Sequence, residues 1–177
     1  MKKVLSIFML LVLCLGLVAC SGGQDDVPEG YQLVSDDSVA YRFYAPLSWS
    51  VNNTDMIDSV YYSTSDPSMV MVSFYAPDSE QADIDTYWAY VENEYKTLYT
   101  DYTLLSSEMV EIGQEDYKRS AIQHTFTAKI GGVEYKMMQI MTGHGKHYYT
   151  ITYMSSPENF DSHLEEVNEM LKVFKFR

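Results

Sequence analysis

From residue 31 onward, apolar and polar positions alternate with a period of two along most of the chain. That period places successive side chains on opposite faces of a strand. "YQLVS" (31–35) and "VAYRFYAP" (39–46) are separated by Asp36-Asp37-Ser38, a turn composition, and read as a hairpin. In the second run Val39, Tyr41 and Phe43 point one way, and Ala40, Arg42 and Tyr44 the other. "DSVYYSTS" and "MVMVSFYAP" flank a second turn, Asp66-Pro67-Ser68. Further strands are expected over 104–113, 117–130, 133–142 and 146–154. Gly131-Gly132 makes a tight hairpin between two of them, and Gly143-His144-Gly145 joins the next pair. Hairpin following hairpin predicts an antiparallel sheet.

Two segments change to a period of three to four. Ile84, Trp88, Val91, Tyr95, Leu98 and Tyr102 form an apolar stripe that predicts a helix over 83–101, with Asp83 as cap and Asp85 in its first turn. Phe160, Leu164, Val167, Leu171 and Phe174 repeat the spacing. There Ser156 is the expected cap and Pro157 the expected first helical residue. Glu165, Glu166 and Glu169 fill the outer face, and "VFKFR" (173–177) reads as a short terminal extension. Each helix has one apolar stripe and must lay it on the sheet. Strands, helix, strands, helix is the order of an α+β domain: one antiparallel β-sheet flanked by two helices.

The first twenty residues follow a different rule. Lys2 and Lys3 precede an almost purely apolar run, Val4 to Val18, of about 15 residues, where a comfortable membrane-spanning helix needs roughly 20. A basic start, an apolar centre and a small-residue end make a secretory signal. Leu17-Val18-Ala19-Cys20 resembles the lipobox of bacterial lipoproteins. That resemblance implies cleavage after a signal peptide of residues 1–19 and diacylglyceryl attachment at Cys20. Residues 20–29, with Ser21-Gly22-Gly23-Gln24-Asp25-Asp26, would form a flexible tether, and 30–177 a single globular domain. The expected placement is the cell membrane, lipid-anchored, facing outside the cytoplasm.

Charge narrows the partners. Losing Lys2 and Lys3 leaves 10 basic residues against 25 acidic ones. That balance disfavours nucleic acid, whose binding depends on neutralising phosphates, and disfavours flat docking on anionic lipid. Cys14 leaves with the signal and Cys20 carries lipid, so no thiol remains for a disulfide or a thiolate metal site.

Candidate chemistry is sparse. His144 and His147, in "TGHGKH", are weak metal candidates, because a closed zinc site wants four ligands and no third is nearby. His124 and His163 stand singly, each expected at the surface or hydrogen-bonded. Met137 and Met141 face opposite to Met138, so the methionines do not converge on copper and are expected to fill core gaps. Tyr87 and Tyr90, beside the buried stripe of the first helix, are candidate ligand or partner contacts, with packing at the sheet edge as the competing reading. Asp36-Asp37 and Asp83-x-Asp85 match no ion loop and read as turn and cap residues. No G-x-S-x-G, H-E-x-x-H, P-loop or G-x-G-x-x-G occurs, and no cofactor is implied.

"SVAYRFYAPLSWSV", with Tyr41, Phe43, Pro46 and Trp49, resembles the early signature of PsbP and Mog1-like proteins, and the order of later elements fits the same pattern over roughly 30–177. The resemblance implies an α/β/α sandwich and a binding or assembly module rather than an enzyme. It carries no functional residue across: Pro46 is expected to end a strand and Trp49 to pack under the sheet. The function expected is a membrane-tethered, non-catalytic binding or accessory module for a protein complex or envelope component. The alternative is a small-ligand or ion receptor with a pocket between helix and sheet, lined by Tyr and Met.

Overall fold

The computed structural model describes residues 27–55, 57–77 and 83–177. The expected signal peptide (1–19), Cys20 and the expected tether through Asp26 lie outside them. Eleven strands and two α-helices follow in order among the described residues: β1 Tyr31–Leu33, β2 Tyr41–Arg42, β3 Tyr44–Pro46, β4 Ser50–Val51, β5 Asp58–Tyr61, β6 Met69–Tyr75, α1 Ile84–Leu98, β7 Thr100–Ile112, β8 Arg119–Ile130, β9 Val133–His144, β10 His147–Ser155, α2 Leu164–Val173 and β11 Lys175–Phe176. Short 3₁₀ turns at Glu115–Tyr117 and Phe160–Ser162 precede β8 and α2.

Seven strands form one antiparallel sheet in the order β4-β5-β6-β10-β9-β8-β7. Two registers anchor it: Ile151 pairs with Ile140 on one side and with Val72 on the other. The β8–β9 turn is the expected glycine hairpin. Gly131 and Gly132 sit at φ +60° and +84°, the left-handed pair such a two-residue turn demands.

The period of two divides the apolar residues between two cores. On one face Val60, Val70, Val72, Ile140, Ile151 and Tyr153 meet Val167, Met170 and Leu171 of α2, with Trp49 and Phe43 closing the side. On the other, Phe126, Ala128, Met137 and Met141 meet Trp88 of α1. Met137 and Met138 fall in different cores, as their alternation requires. The central strands are thus covered on both faces, each buried apolar side chain contributing about 1.5–3 kcal/mol of transfer free energy. The architecture is the expected α/β/α arrangement.

Four local expectations are corrected. The 31–46 hairpin is split: β1 pairs β3, but Tyr41–Arg42 turns away to pair with β11, so "VFKFR" holds the end of α2 and a two-residue strand, Lys175–Phe176, rather than an extension. The second helix begins at Leu164, not at Pro157. The Ser156 carbonyl accepts from the Asn159 and Phe160 amides to make a turn, and the Tyr153 hydroxyl holds the Phe160 carbonyl at 2.8 Å, so His163 becomes the N-cap. Leu98, expected in the α1 stripe, is 69% exposed; the chain leaves the helix at Tyr99, whose ring takes the place against Tyr95 at 5.1 Å, and Tyr102 belongs to β7. Gly143 and His144 are in β9, so the β9–β10 turn is only Gly145-Lys146.

Candidate binding cleft

α1 starts where its sequence says it should: the Asp83 carboxylate accepts the Thr86 amide at 2.7 Å. Its stripe then crosses β8 and β9, and Trp88 sinks against Phe126 while Val91 and Tyr95 follow one and two turns later. The helix is narrower than the seven-stranded sheet. Toward β6 and β10 it leaves a cleft of about 430 Å³, walled by Tyr87, Tyr90, Val91 and Tyr95 from the helix and floored by Met71, Ser73, Met137, Thr150 and Met154 from the sheet.

A polar strip runs along the cleft floor. Gln139 donates to the Tyr95 hydroxyl at 2.8 Å and to the Thr152 hydroxyl at 3.1 Å, and the Tyr95 hydroxyl donates back to the Gln139 carbonyl at 3.2 Å. Burial pushes the Tyr95 phenol up to about 12, so it stays a neutral donor at any physiological pH. Apolar walls with a few fixed donors and acceptors are the usual make-up of a small-ligand cleft.

The two tyrosine candidates have different fates. Tyr87 is sandwiched between Tyr75 (5.2 Å, 5° between planes) and Tyr148 (4.9 Å, 14°), so it braces helix to sheet. Tyr90, one turn on, is 61% exposed at the cleft mouth. Tyr87 thus packs between helix and sheet while still lining the cleft, and Tyr90 presents its ring at the surface.

His124 contradicts expectation. It is buried to 2% exposure, stacked flat on Trp88, and neither ring nitrogen has a hydrogen-bond partner. Burial pulls its titration down to about 4, against the opposing pull of the Glu92 and Asp85 carboxylates. His163 is satisfied: its Nε2 lies 2.8 Å from Asp66 and its Nδ1 3.5 Å from Glu166. Burial alone would raise Asp66, but hydrogen bonds from Ser68 and His163 outweigh it and hold the carboxyl at about 2.

His144 and His147 pair across the β9–β10 turn but turn to different rings. His144 stacks on Phe176 at 4.4 Å and His147 meets Phe74 edge-on at 5.5 Å. No group of three or more metal-ligating side chains converges among the described residues. Asp36 caps its own turn by accepting from the Ser38 amide, and Asp37 pairs with Arg42 at 2.6 Å.

Gln139, Thr152, Tyr75 and Tyr148 did not stand out in the sequence. The first two carried one signal, polar residues inside otherwise apolar strands. Tyr75 and Tyr148 carried none, because their meeting with Tyr87 depends on the packing of α1.

No protein-family model and no curated protein matches the sequence. Solved structures do. The cyanobacterial PsbP protein CyanoP from Synechocystis sp. PCC 6803 aligns with a TM-score of 0.61 at 12% identity, over 92% of this chain and 100% of that one. Saccharomyces cerevisiae Mog1p, a Ran-binding protein, gives 0.53 at 11% identity over 80% and 90%. LpqN of Mycobacterium tuberculosis, involved in cell envelope biogenesis, gives 0.53 at 11% identity over 76% and 82%. The chain has a PsbP/Mog1-like fold.

Proposed function

We propose that this chain is a lipid-anchored, non-catalytic binding module, held through Cys20 at the membrane and facing outside the cytoplasm, with the α1 cleft as its recognition surface for a protein or envelope partner. The observation that carries the reading is Tyr90. It is a large aromatic left exposed at the mouth of an apolar cleft, while its neighbour Tyr87 is locked in a stack. Aromatic anchors of this kind dominate binding energy at interfaces. The lipobox at 17–20 supports the placement, and a Ran-binding protein and an envelope-biogenesis protein share the fold.

A photo-crosslinking residue at position 90, in cells, tests it, with position 165 on the outer face of α2 as control. A reproducible adduct at 90 and none at 165 is expected. No adduct at 90, or equal labelling at both, would overturn the assignment. In parallel, Cys20→Ser should release the chain from the membrane fraction; unchanged membrane retention would remove the anchor.

The hydrogen-bonded strip of Gln139, Tyr95 and Thr152 favours a second reading, a small polar ligand seated in the same cleft. Saturable thermal stabilisation by one compound in a screen of ions, sugars and amino acids would select it, since a ligand of the native state stabilises by mass action.

A further inference from the structure

A separate cavity of about 440 Å³, sharing no lining residue with the α1 cleft, opens where three distant segments meet. The approach to β8 brings Asp116, Lys118 and Arg119, the end of β9 brings His144, and the C-terminal strand brings Phe176 and Arg177. In a chain with 12 basic residues against 25 acidic ones, three basic side chains and an imidazole line one cavity.

Phe176 is the platform. The His144 ring stacks on it at 4.4 Å with 20° between planes, and the Arg119 guanidinium carbon lies 5.2 Å from its centroid. Arg119 differs from most of the chain's basic side chains in lacking a carboxylate within ion-pair distance. Arg42, Lys96, Lys118, Lys129, Lys136, Lys172 and Arg177 each reach one within 3.7 Å. Among the described residues Arg119 reaches none. Lys118 is engaged with Glu111 at 3.2 Å, and Arg177 donates to the Asp37 and Val39 carbonyls. The uncompensated charge in the cavity is therefore that of Arg119, with Asp116 as the opposing carboxylate in the wall. A guanidinium resting on a ring keeps its planar fork pre-organised for a bidentate oxyanion.

We propose that this cavity binds a phosphate group, with the Arg119 fork as primary donor and His144, in its protonated form, as second donor. The phosphate is that of a soluble ester or of a phospholipid headgroup. Burial and the adjacent Arg119 charge hold His144 below its ordinary titration range, with an Arg177 backbone contact opposing them. An anion on Arg119 cancels part of that repulsion, so binding must move His144 upward.

The test titrates the full chain, in neutral maltoside micelles, with inorganic phosphate while the imidazole resonances are followed by NMR. Saturable binding with a Kd below about 10 mM, accompanied by an upward shift of the His144 titration and none at His124, is expected. Arg119→Gln should weaken binding at least about tenfold, and Arg119→Lys should restore part of it. Thermal unfolding of each variant reports whether it folds; should both fail to fold, the wild-type His144 response still decides. No saturable response in the wild-type chain, or unchanged affinity in a folded Arg119→Gln, would overturn the proposal. Repeating the titration with monomeric short-chain phosphatidylglycerol separates the sources: tighter binding than inorganic phosphate assigns the headgroup, weaker binding the soluble ester.

Discussion

Trp88 lies flat on His124, ring centroids 3.5 Å apart and planes within 6° of parallel, in the layer between α1 and the sheet. An imidazole so placed finds no hydrogen-bond partner for either nitrogen among the described residues. Its neutral form is favoured there, because a charged imidazole would give up hydration without gaining a hydrogen-bond partner.

A pH dependence follows. His124 titrates near its ordinary 6.5 when unfolded and at about 4 when folded. Between those values the unfolded chain binds more protons, so stability is intact above 6.5 and falls as pH drops toward 4. The total loss is on the order of 2–3 kcal/mol. Urea unfolding at pH 7.5 and 4.5 should show this loss in the native sequence and a clearly smaller one in His124→Leu. Asp66, held at about 2, adds its own loss only below its unfolded value of 3.8, outside that window. Equal slopes in both proteins would dismiss the assignment.

Tyr87 and Tyr90 should separate stability from binding. Tyr87→Ala removes the centre of a three-ring stack and should cost about 1–3 kcal/mol. Tyr90→Ala touches an exposed ring and should change stability by no more than about 0.5 kcal/mol, while abolishing partner capture. Chemical denaturation measures the first; a pull-down with the folded Tyr90 variant measures the second.

Gly113 ends β7 at φ +89° and donates its amide to the Leu171 carbonyl of α2 at 2.9 Å. A Cβ there would sit 2.7 Å from the Tyr117 carbonyl oxygen and 3.2 Å from that of Phe174. Gly113→Ala combines a left-handed backbone with a clash against main chain that cannot rotate away. It should cost at least about 2 kcal/mol, whereas Gly145→Ala, with open space around it, should pay only the backbone term of about 1 kcal/mol. Comparing their thermal midpoints checks the difference.

Capping gives the smallest effect. Asp83→Ala removes the acceptor for the Thr86 amide and should cost about 1 kcal/mol, with Asp83→Asn recovering most of it. Loss of helical circular dichroism at lower temperature in the alanine variant is the expected reading.

Much of the fold was legible because periodicity is a local property. Met137 and Met138 fall in opposite cores simply because they are adjacent in a strand, and Trp88 and Tyr95 face the sheet because they lie two turns apart on a helix. The ends of elements were less legible. Ser156 and Pro157 carry a proper helix-start signature, yet the Tyr153 hydroxyl on the Phe160 carbonyl delays the helix to Leu164. Of the candidate contacts, the exposure of Tyr90 follows from its position on α1; the stack that immobilises Tyr87 was not legible, since it needs β6 and β10 beside the helix.

The chain's own pattern determines the two helices, the hairpin ladder, the glycine turn at 131–132 and the division of apolar residues between two faces. Backbone geometry and solvent exclusion act there over a few residues. The burial of His124 under Trp88, the pairing of Tyr41–Arg42 with the C-terminal strand, and the meeting of Arg119, His144 and Phe176 were decided by three-dimensional closure. Each joins segments far apart along the chain, and no short-range regularity records which distant side chain will fill a space once sheet and helices have packed.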